Sequence, residues 1–378
     1  MLPSKDNIID ALKNLNNVQT QELSGCSFVM SRFGDPLYYP GGFGMVFKVK
    51  KGGKHKAFKV WYVNIDDIKA RMQKISAYLS TLNLPYFVSY SFCEKGLRIP
   101  AEIINDENDH SDQTLDALVM DWAEGSMFKD YLDDLIEEND VKFVESKLIY
   151  LANQFKQCFR ELHRNRISHG DLQHGNIIIE EDATGNPHIK LIDYDSLYVP
   201  ALAGSEQTTS GIGGFQHPSR IAGNETKSTE KDDYFSEKII YLTLLLLARE
   251  PGLWTDPQIN VEKNDYGLLF NAEDFVNFSN SYIFKHVKGS TVFDQEAKDL
   301  IDEIANDLKK SVGEIVALKG TVKSPYKKDD KDLQNPPKKL NPQLLELLNQ
   351  DTPKPLNKPS KPVELTEIDR DIYRKKNP

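Results

Sequence analysis

Short runs of apolar and β-branched residues, separated by turn residues, dominate the chain between residues 27 and 120. Runs of this length and composition are typical of β-strands. One interruption, residues 66–79, carries apolar residues at helical spacing instead. The pattern therefore predicts a small sheet with one inserted helix. The predicted strands are residues 36–50, 56–63, 87–92 and 118–120.

Helical spacing marks the two flanks of this region. Residues 4–17 predict a helix capped by Ser4, with its apolar residues on one face, that packs on the body of the protein. From residue 143 to 164 apolar positions recur every three or four residues, and helix is predicted to dominate from there to about residue 319. The longest apolar run, residues 239–248, is half the length of about 20 residues that crosses a bilayer, so it predicts a buried helix.

The C-terminal stretch differs sharply in composition. Residues 324–378 hold 9 of the 19 prolines and 12 basic against 9 acidic residues, which is typical of a disordered tail. Within it, residues 341–350 could form a short amphipathic helix that docks a partner. We therefore expect four parts: an N-terminal helical extension (1–25), a sheet lobe (26–120), a helical lobe (121–323) and the tail (324–378).

Charge and cysteine content exclude several classes of function. The 378 residues carry a formal net charge of −10, which repels a nucleic-acid backbone, so no nucleic-acid partner is expected. The three cysteines form no CxxC pair, which favours a reducing compartment and gives no zinc signal. Charged residues interrupt residues 1–25, so no signal-peptide core is present. These features predict a cytoplasmic protein without a membrane partner.

Two features of the predicted sheet could bind phosphate. The stretch YYPGGFGMVFKV, residues 38–49, sets glycines between two strand-like runs, as a turn needs when its N–H groups approach phosphates. An ordinary hairpin turn is the alternative. Lys59 lies inside the apolar run AFKV and would point away from the side of Phe58 and Val60. A lysine there requires an anionic partner or solvent.

The most informative stretch is ISHGDLQHGNIII, residues 167–179, followed by IKLIDY, residues 189–194. Asp171 and Asn176 leave a helix and enter a strand, a turn follows at residues 182–187, and the return strand ends on Asp193. This order brings three oxygen-bearing side chains to one point. Carboxylate and amide oxygens suit Mg²⁺ together with phosphate, and one carboxylate remains to orient a nucleophile.

These stretches resemble the protein-kinase-like superfamily, whose catalytic loop reads H-R-D-L-x-x-x-N and whose metal aspartate opens D-F-G. The resemblance covers about residues 26–323 and implies an α+β, two-lobed fold with a small antiparallel-sheet N-lobe and a mainly helical C-lobe. It implies that Asp171 is the catalytic aspartate, that Lys59 holds the α and β phosphates, and that Asn176 and Asp193 bind the metal. Asp233 resembles the aspartate that opens the buried central helix.

The same resemblance implies a nucleotide site between the lobes. Residues 118–126, LVMDWAEGS, look like the hinge, with Met120 beside the adenine and Asp121 to Ala123 offering backbone hydrogen bonds. Tyr39 stands where the first glycine of the loop is usual. The implied cofactors are ATP and Mg²⁺. The implied nucleotide-binding residues are Gly41, Gly42, Phe43, Gly44, Val46, Ala57, Lys59, Met120, Asp121, Trp122 and Ala123.

Several positions depart from the family pattern. Gly170 replaces the arginine that reads an activation-loop phosphate, so residues 208–210 are weak switch candidates. Asp195 replaces the glycine of D-F-G, and Gln173 stands where many kinases carry a lysine. The predicted helix 66–79 contains no glutamate to pair with Lys59. Gln73 or Asp67 could face the lysine, or another carboxylate orients it.

The motifs HGDLQHGN, IDYD, YVPALAG and QHP further resemble a bacterial group described as Ser/Thr kinases. We therefore predict a Mg·ATP-dependent kinase that phosphorylates Ser or Thr of a protein substrate, including itself. A small-molecule kinase is one alternative, because HGD also resembles aminoglycoside and choline kinase-like enzymes. A pseudokinase scaffold is the other, because the helix glutamate is missing. Trp61 and Trp122 are expected to be packing residues.

Overall fold

The computed structural model describes residues 3–63, 67–105, 110–259 and 266–321. The chain divides into two units, Met1–Lys323 and Ser324–Pro378, and all described residues lie in the first. The predicted docking helix at 341–350 and the predicted tail lie outside the described residues. None of the described helices is both long and apolar enough to span a membrane.

The first lobe is an antiparallel sheet with strand order β1-β3-β4-β6-β5, in which β2 also pairs with β3. Gly52 and Gly53 close the β3–β4 hairpin with φ values of 56° and 83°, which a two-residue turn requires. The strands are β1 (Ser27–Phe28), β2 (Tyr38–Pro40), β3 (Gly44–Lys51), β4 (Lys54–Trp61), β5 (Tyr90–Ile99) and β6 (Gln113–Asp121).

The two faces of this sheet bury different side chains. Phe58 and Val60 of β4 join an outer core that the helix α1 (Lys5–Leu12) covers through Ile8 and Leu12. Ala57 and Trp61, on the opposite face of β4, join the core that continues into the second lobe. The predicted alternation along β4 is therefore confirmed, and Lys59 points to the inner face.

Two helices of the first lobe follow their predicted positions with altered ends. Helix α1 begins after Ser4, which forms a capping box with Asn7, but it ends at Leu12 rather than at residue 17. A separate 3₁₀ turn, Leu15–Asn17, follows it. Helix α2 (Ile68–Leu79) is the inserted helix, and Met72 and Ile75 are its buried core residues. A short helix α3 (Ala101–Ile104) joins β5 to β6.

The second lobe is mainly helical and is built around α7 (Tyr234–Arg249), whose apolar run is buried as predicted. Helix α5 (Val141–Arg164) packs along it, and Cys158 is fully buried between them. The predicted two-lobed α+β fold is confirmed. The remaining elements are α4 (Phe128–Ile136), α6 (Pro218–Ile221), α8 (Ala272–Val276), α9 (Tyr282–Gly289), α10 (Gln295–Asp307), β7 (Ser126–Met127), β8 (Ile177–Glu181) and β9 (Pro187–Leu191).

Candidate active site

The glycine turn joins β2 to β3 and lies beside the end of β4. The Gly41 N–H donates to the Gly44 carbonyl at 2.8 Å, which closes the turn. The Tyr62 hydroxyl donates to the carbonyls of Gly41 and Gly42 from below. A Cβ at Gly44 would lie 2.5 Å from the Val60 carbonyl oxygen, so only glycine permits this approach of two strands. Val46 pairs with Lys59 across the ladder.

Lys59 is the buried cation of the site, with 5 % of its side chain exposed. Its Nζ donates to Asp193 Oδ1 and to Asp195 Oδ2, each at 2.6 Å. Burial alone would lower the pKa of Lys59, but the two carboxylates outweigh it and raise the pKa above the ordinary value. The lysine is therefore held as a cation at the inner face of the sheet.

The loop before β8 presents Asp171 and Asn176. Asn176 donates through Nδ2 to the Asp171 carbonyl at 2.7 Å and to Asp171 Oδ2 at 3.0 Å, so its own Oδ1 is turned away from Asp171. Asp171 Oδ1 is buried and accepts no hydrogen bond from the described residues. Burial, together with the charge of Asp193, raises the pKa of Asp171. Such an oxygen can accept a proton or a hydroxyl hydrogen bond.

Strand pairing brings Asp193 to the same place. Ile177 pairs with Leu191 in the β8–β9 hairpin, and the Ile192 N–H donates to the Asn176 carbonyl at 3.0 Å. The chain then turns through Asp193, which has φ 66° and a side chain that is 39 % exposed. Burial opposes ionisation of Asp193, but the Lys59 ammonium outweighs it and lowers the pKa of that carboxyl.

These side chains form a donor set that fits a hard divalent cation. Asn176 Oδ1 and the Asp193 carboxylate are oxygen ligands of the kind that Mg²⁺ takes, and Asp193 is accessible from the cleft. The Asp171 Oδ1 atom, which accepts no hydrogen bond from the part of the chain that the structure describes, lies on the same loop. The two predicted metal ligands, the predicted catalytic aspartate and Lys59 are therefore all brought together in one cleft.

The segment between the lobes contains the predicted hinge residues. Met120 is 7 % exposed and belongs to the inner core. The Asp121 N–H donates to the Ser89 carbonyl at 3.0 Å, and the Asp121 side chain pairs with Lys56. By contrast, the Ala123 N–H donates no hydrogen bond to any of the described residues. Of the expected adenine donors, the N–H of Asp121 is thus already used and that of Ala123 is available.

An aromatic pair joins β2, the strand before the glycine turn, to the predicted hinge. The rings of Tyr39 and Trp122 lie 5.6 Å apart, and Lys48 Nζ lies 4.4 Å from the centre of the Trp122 ring. Tyr39 occupies the position of the usual first glycine. The ring contact gives a physical reason for an aromatic side chain there.

The carboxylate that pairs with Lys59 comes from an unexpected segment. Gln73 and Asp67 are exposed, so the expectation that either faces the lysine is wrong. Instead the second carboxylate is Asp195, which also accepts from Trp61 Nε1 at 3.1 Å. Trp61 is thus a hydrogen-bond donor as well as the packing residue we expected. The signal in the sequence was Asp195 itself, at the glycine position of D-F-G.

Helix α2 reaches this segment through a cation. Arg71 is 6 % exposed, and its Nε donates to the Asp195 carbonyl at 2.7 Å. Its Nη2 donates to the Leu197 carbonyl at 3.3 Å. The helix therefore binds the backbone that follows Asp193, where the family pattern has a helix glutamate bound to the lysine.

Gly170 has a backbone reason for replacing arginine. Its φ is 76°, and a Cβ there would collide with the Ser196 carbonyl oxygen. The N–H groups of His169 and Gly170 both donate to the Asp233 carboxylate, which fixes this turn on the start of α7. A larger residue cannot take this conformation without strain.

A different arginine contacts the segment after Asp193. Arg220 is 1 % exposed and donates to the carbonyl of Gly170, to the carbonyl of Thr209 at 3.2 Å and to Gln207 Oε1 at 3.1 Å. It also donates to Gln216 Oε1 at 3.0 Å. This arginine of the QHPSR stretch links the catalytic loop to residues 207–209 through neutral acceptors.

The two histidines of the loop serve as supports. His169 is fully buried, and its Nε2 lies 2.8 Å from the Ile192 carbonyl oxygen. The His174 ring stacks on Phe215 at 5.4 Å. Gln173 caps the loop by accepting from the Gly175 N–H at 2.7 Å. These three residues thus make structural contacts within the second lobe.

Comparison with known proteins decides the family. Residues 40–326 match the family described as the protein kinase domain. The chain belongs to the protein kinase domain family. Such a domain uses ATP, usually with a divalent metal, and transfers phosphate to protein substrates. The resemblance to the superfamily is thereby confirmed, while the match does not distinguish the bacterial group.

A curated relative is also a kinase by name. The chain is similar to the inhibitor of nuclear factor kappa-B kinase subunit beta of Bos taurus, with 30 % identity over 122 residues. The match covers 32 % of this chain and 16 % of that protein. The chain thus spans only about a sixth of the relative's length.

Proposed function

We propose that this protein is an active Ser/Thr protein kinase that uses Mg·ATP and also phosphorylates itself. The observation that carries the proposal is the convergence of Lys59, Asp171 and Asp193 in one cleft, with Lys59 bonded to Asp193 at 2.6 Å and Asp171 Oδ1 left without a hydrogen-bond partner among the described residues. The choice of Ser/Thr acceptors, and of a bacterial group, rests on the resemblance of HGDLQHGN and IDYD to such kinases.

Each side chain has a role that its environment supports. Asp171 orients the acceptor hydroxyl through Oδ1 and takes its proton as the phosphoryl group leaves ATP. Asn176 and Asp193 would hold Mg²⁺, which when bound neutralises charge on the phosphate oxygens. Lys59 and the N–H groups of the glycine turn position the phosphates, and the free N–H of Ala123 suits a ring nitrogen of adenine.

The pairing of Lys59 favours an active enzyme over a scaffold. The missing helix glutamate was the argument for a pseudokinase, but Asp195 supplies a carboxylate at 2.6 Å from Lys59 Nζ. Phosphoryl transfer needs mainly positioning and charge stabilisation, and the groups for both are present.

The test is transfer of the γ-phosphate from labelled Mg·ATP by the full chain and by its Asp171→Asn variant. We expect label on Ser or Thr of the chain itself and of an added acceptor protein, with a loss of at least about a hundredfold in the variant. If the label appears on added aminoglycoside or choline and never on protein, the enzyme is instead a small-molecule kinase. Nucleotide binding without any labelled product would establish a scaffold.

A further inference from the structure

Lys59 needs a fixed anion that does not leave when nucleotide and metal bind. A buried ammonium without a partner is costly, and a lysine that binds phosphates must be held in one rotamer. Helix α2, the expected source, presents Met72 and Ile75 to the core and Arg71 to the segment after β9. Within the described chain the helix offers this lysine no carboxylate.

The two carboxylates around Lys59 differ in exposure. Asp193 is 39 % exposed and faces the cleft, where the proposed function assigns it to the metal. Asp195 is 3 % exposed and lies behind the lysine. Both bond Lys59 Nζ at 2.6 Å. If Asp193 turns to a metal, Asp195 is the carboxylate that stays with the lysine.

Asp195 is itself fixed from two sides. Its Oδ2 atom accepts from Trp61 Nε1 at 3.1 Å as well as from Lys59. Its carbonyl oxygen accepts from Arg71 Nε at 2.7 Å. The side chain is therefore held by β4 and its backbone by α2, so both position the carboxylate that meets the lysine.

We propose that Asp195 is the positioning residue for Lys59, replacing the helix glutamate, and that Trp61 orients Asp195. This inference rests on the proposed function for the role of Lys59 at the phosphates. In this arrangement the lysine and its carboxylate both belong to segments next to the metal site. The pair therefore does not depend on a side chain of α2 swinging into the cleft.

The test compares the affinities for ATP and for adenosine in Asp195→Asn. Adenosine has no phosphates for Lys59 to hold, so a residue that acts through the lysine changes only ATP binding. We expect Mg·ATP to bind at least about tenfold more weakly and kcat to fall, with adenosine affinity unchanged. Trp61→Phe should cause the same selective loss at a few-fold size. Asp134→Asn, an exposed position on α4, is the matched control.

A double-mutant cycle decides whether Asp195 acts through Lys59. In a Lys59→Met background, Asp195→Asn should cost no further ATP affinity, because the group it positions is gone. An additive loss, an equal loss of adenosine affinity, or a single variant that matches the wild type would overturn the inference. If the wild type binds ATP but transfers no phosphate, the proposed function fails, and the binding measurements still decide the role of Asp195.

Discussion

The catalytic loop and the elements around it depart from the kinase pattern to different degrees. Asp171, Asn176 and Asp193 keep the residue types and spacing of the family motifs. Two neighbouring positions do not keep the residue of the family pattern. Helix α2 contributes Arg71 instead of a glutamate, and Gly170 stands in place of the loop arginine. In each case another residue makes a related contact, namely Asp195 to the lysine and Arg220 to the loop.

This difference has a physical origin. Oxygen ligands and a proton acceptor must meet phosphate within tight distances, so few residue types can replace them. A contact that only holds a segment in place can come from any nearby chain. Arg220 holds Thr209 and Gln207 through neutral acceptors, and such bonds need no phosphate on the segment.

The largest effect is expected from Asp193→Ala. Loss of the carboxylate that we propose binds the metal should lower Mg-dependent phosphate transfer by at least about a thousandfold, while the fold survives because Lys59 keeps Asp195 as its partner. Steady-state turnover together with the thermal midpoint measures both. A folded variant with normal turnover would contradict the metal assignment.

Next comes Gly170→Ala, paired with Gly204→Ala. Both glycines have positive φ, 76° and 81°, but a Cβ at Gly204 meets nothing within 4 Å whereas one at Gly170 collides with the Ser196 carbonyl oxygen. We expect a loss of about 1 kcal/mol in unfolding free energy at Gly204 and about 3 kcal/mol or more at Gly170. Equal losses in chemical denaturation would show that the collision is relieved and that Gly170 is not needed sterically.

A pH effect on stability is expected from the buried pair of Glu237 and His163, which joins α7 to α5. Burial raises the pKa of Glu237 to about 7, and His163 lies 2.7 Å from its carboxylate. Burial would lower the pKa of His163, but Glu237 outweighs it and raises that pKa too. Each group therefore contributes stability that is fully present below its pKa in the unfolded chain. That contribution is lost as the pH rises through its pKa in the folded protein.

The stability advantage of the wild type over Glu237→Gln should therefore shrink by on the order of 1 kcal/mol between pH 5 and pH 8. Denaturant titrations of both proteins at each pH measure it. An advantage that grows with pH would contradict this and would mean that ion pairing with His163 lowers the pKa of Glu237 below its ordinary value.

The smallest effect is expected from replacing Thr208, Thr209 and Ser210 together by alanine. Because Arg220 binds the Thr209 carbonyl and the Gln207 side chain, the segment stays anchored without a phosphate. Initial transfer rates should remain within about threefold of the wild type. A loss of a hundredfold that aspartate at one of these positions restores would show a phosphate switch.

Local sequence patterns predicted most of the strands and helices, and they predicted that the oxygen-bearing side chains of Asp171, Asn176 and Asp193 meet. The alternation around Lys59, the return strand that ends on Asp193 and the apolar run of α7 each follow from neighbouring residues in the chain. Asp195, Trp61 and Arg220 could not be assigned this way, because their partners lie far away in sequence. Asp195 and Lys59 are 136 positions apart, and Arg220 and Gly170 are 50 apart. Only the folded chain brings such pairs together.

The most direct test of the account is the intact mass of phosphatase-treated full chain over time in Mg·ATP, with Asp171→Asn alongside. The account predicts phosphate increments that begin without a lag in the wild type and are absent from the variant. Such increments would show that Asp171, Asn176 and Asp193 support phosphate transfer. They would also show that residues 207–209, which Arg220 contacts, need no prior phosphorylation. No increment in the wild type, or a lag that disappears after preincubation with Mg·ATP, would contradict it.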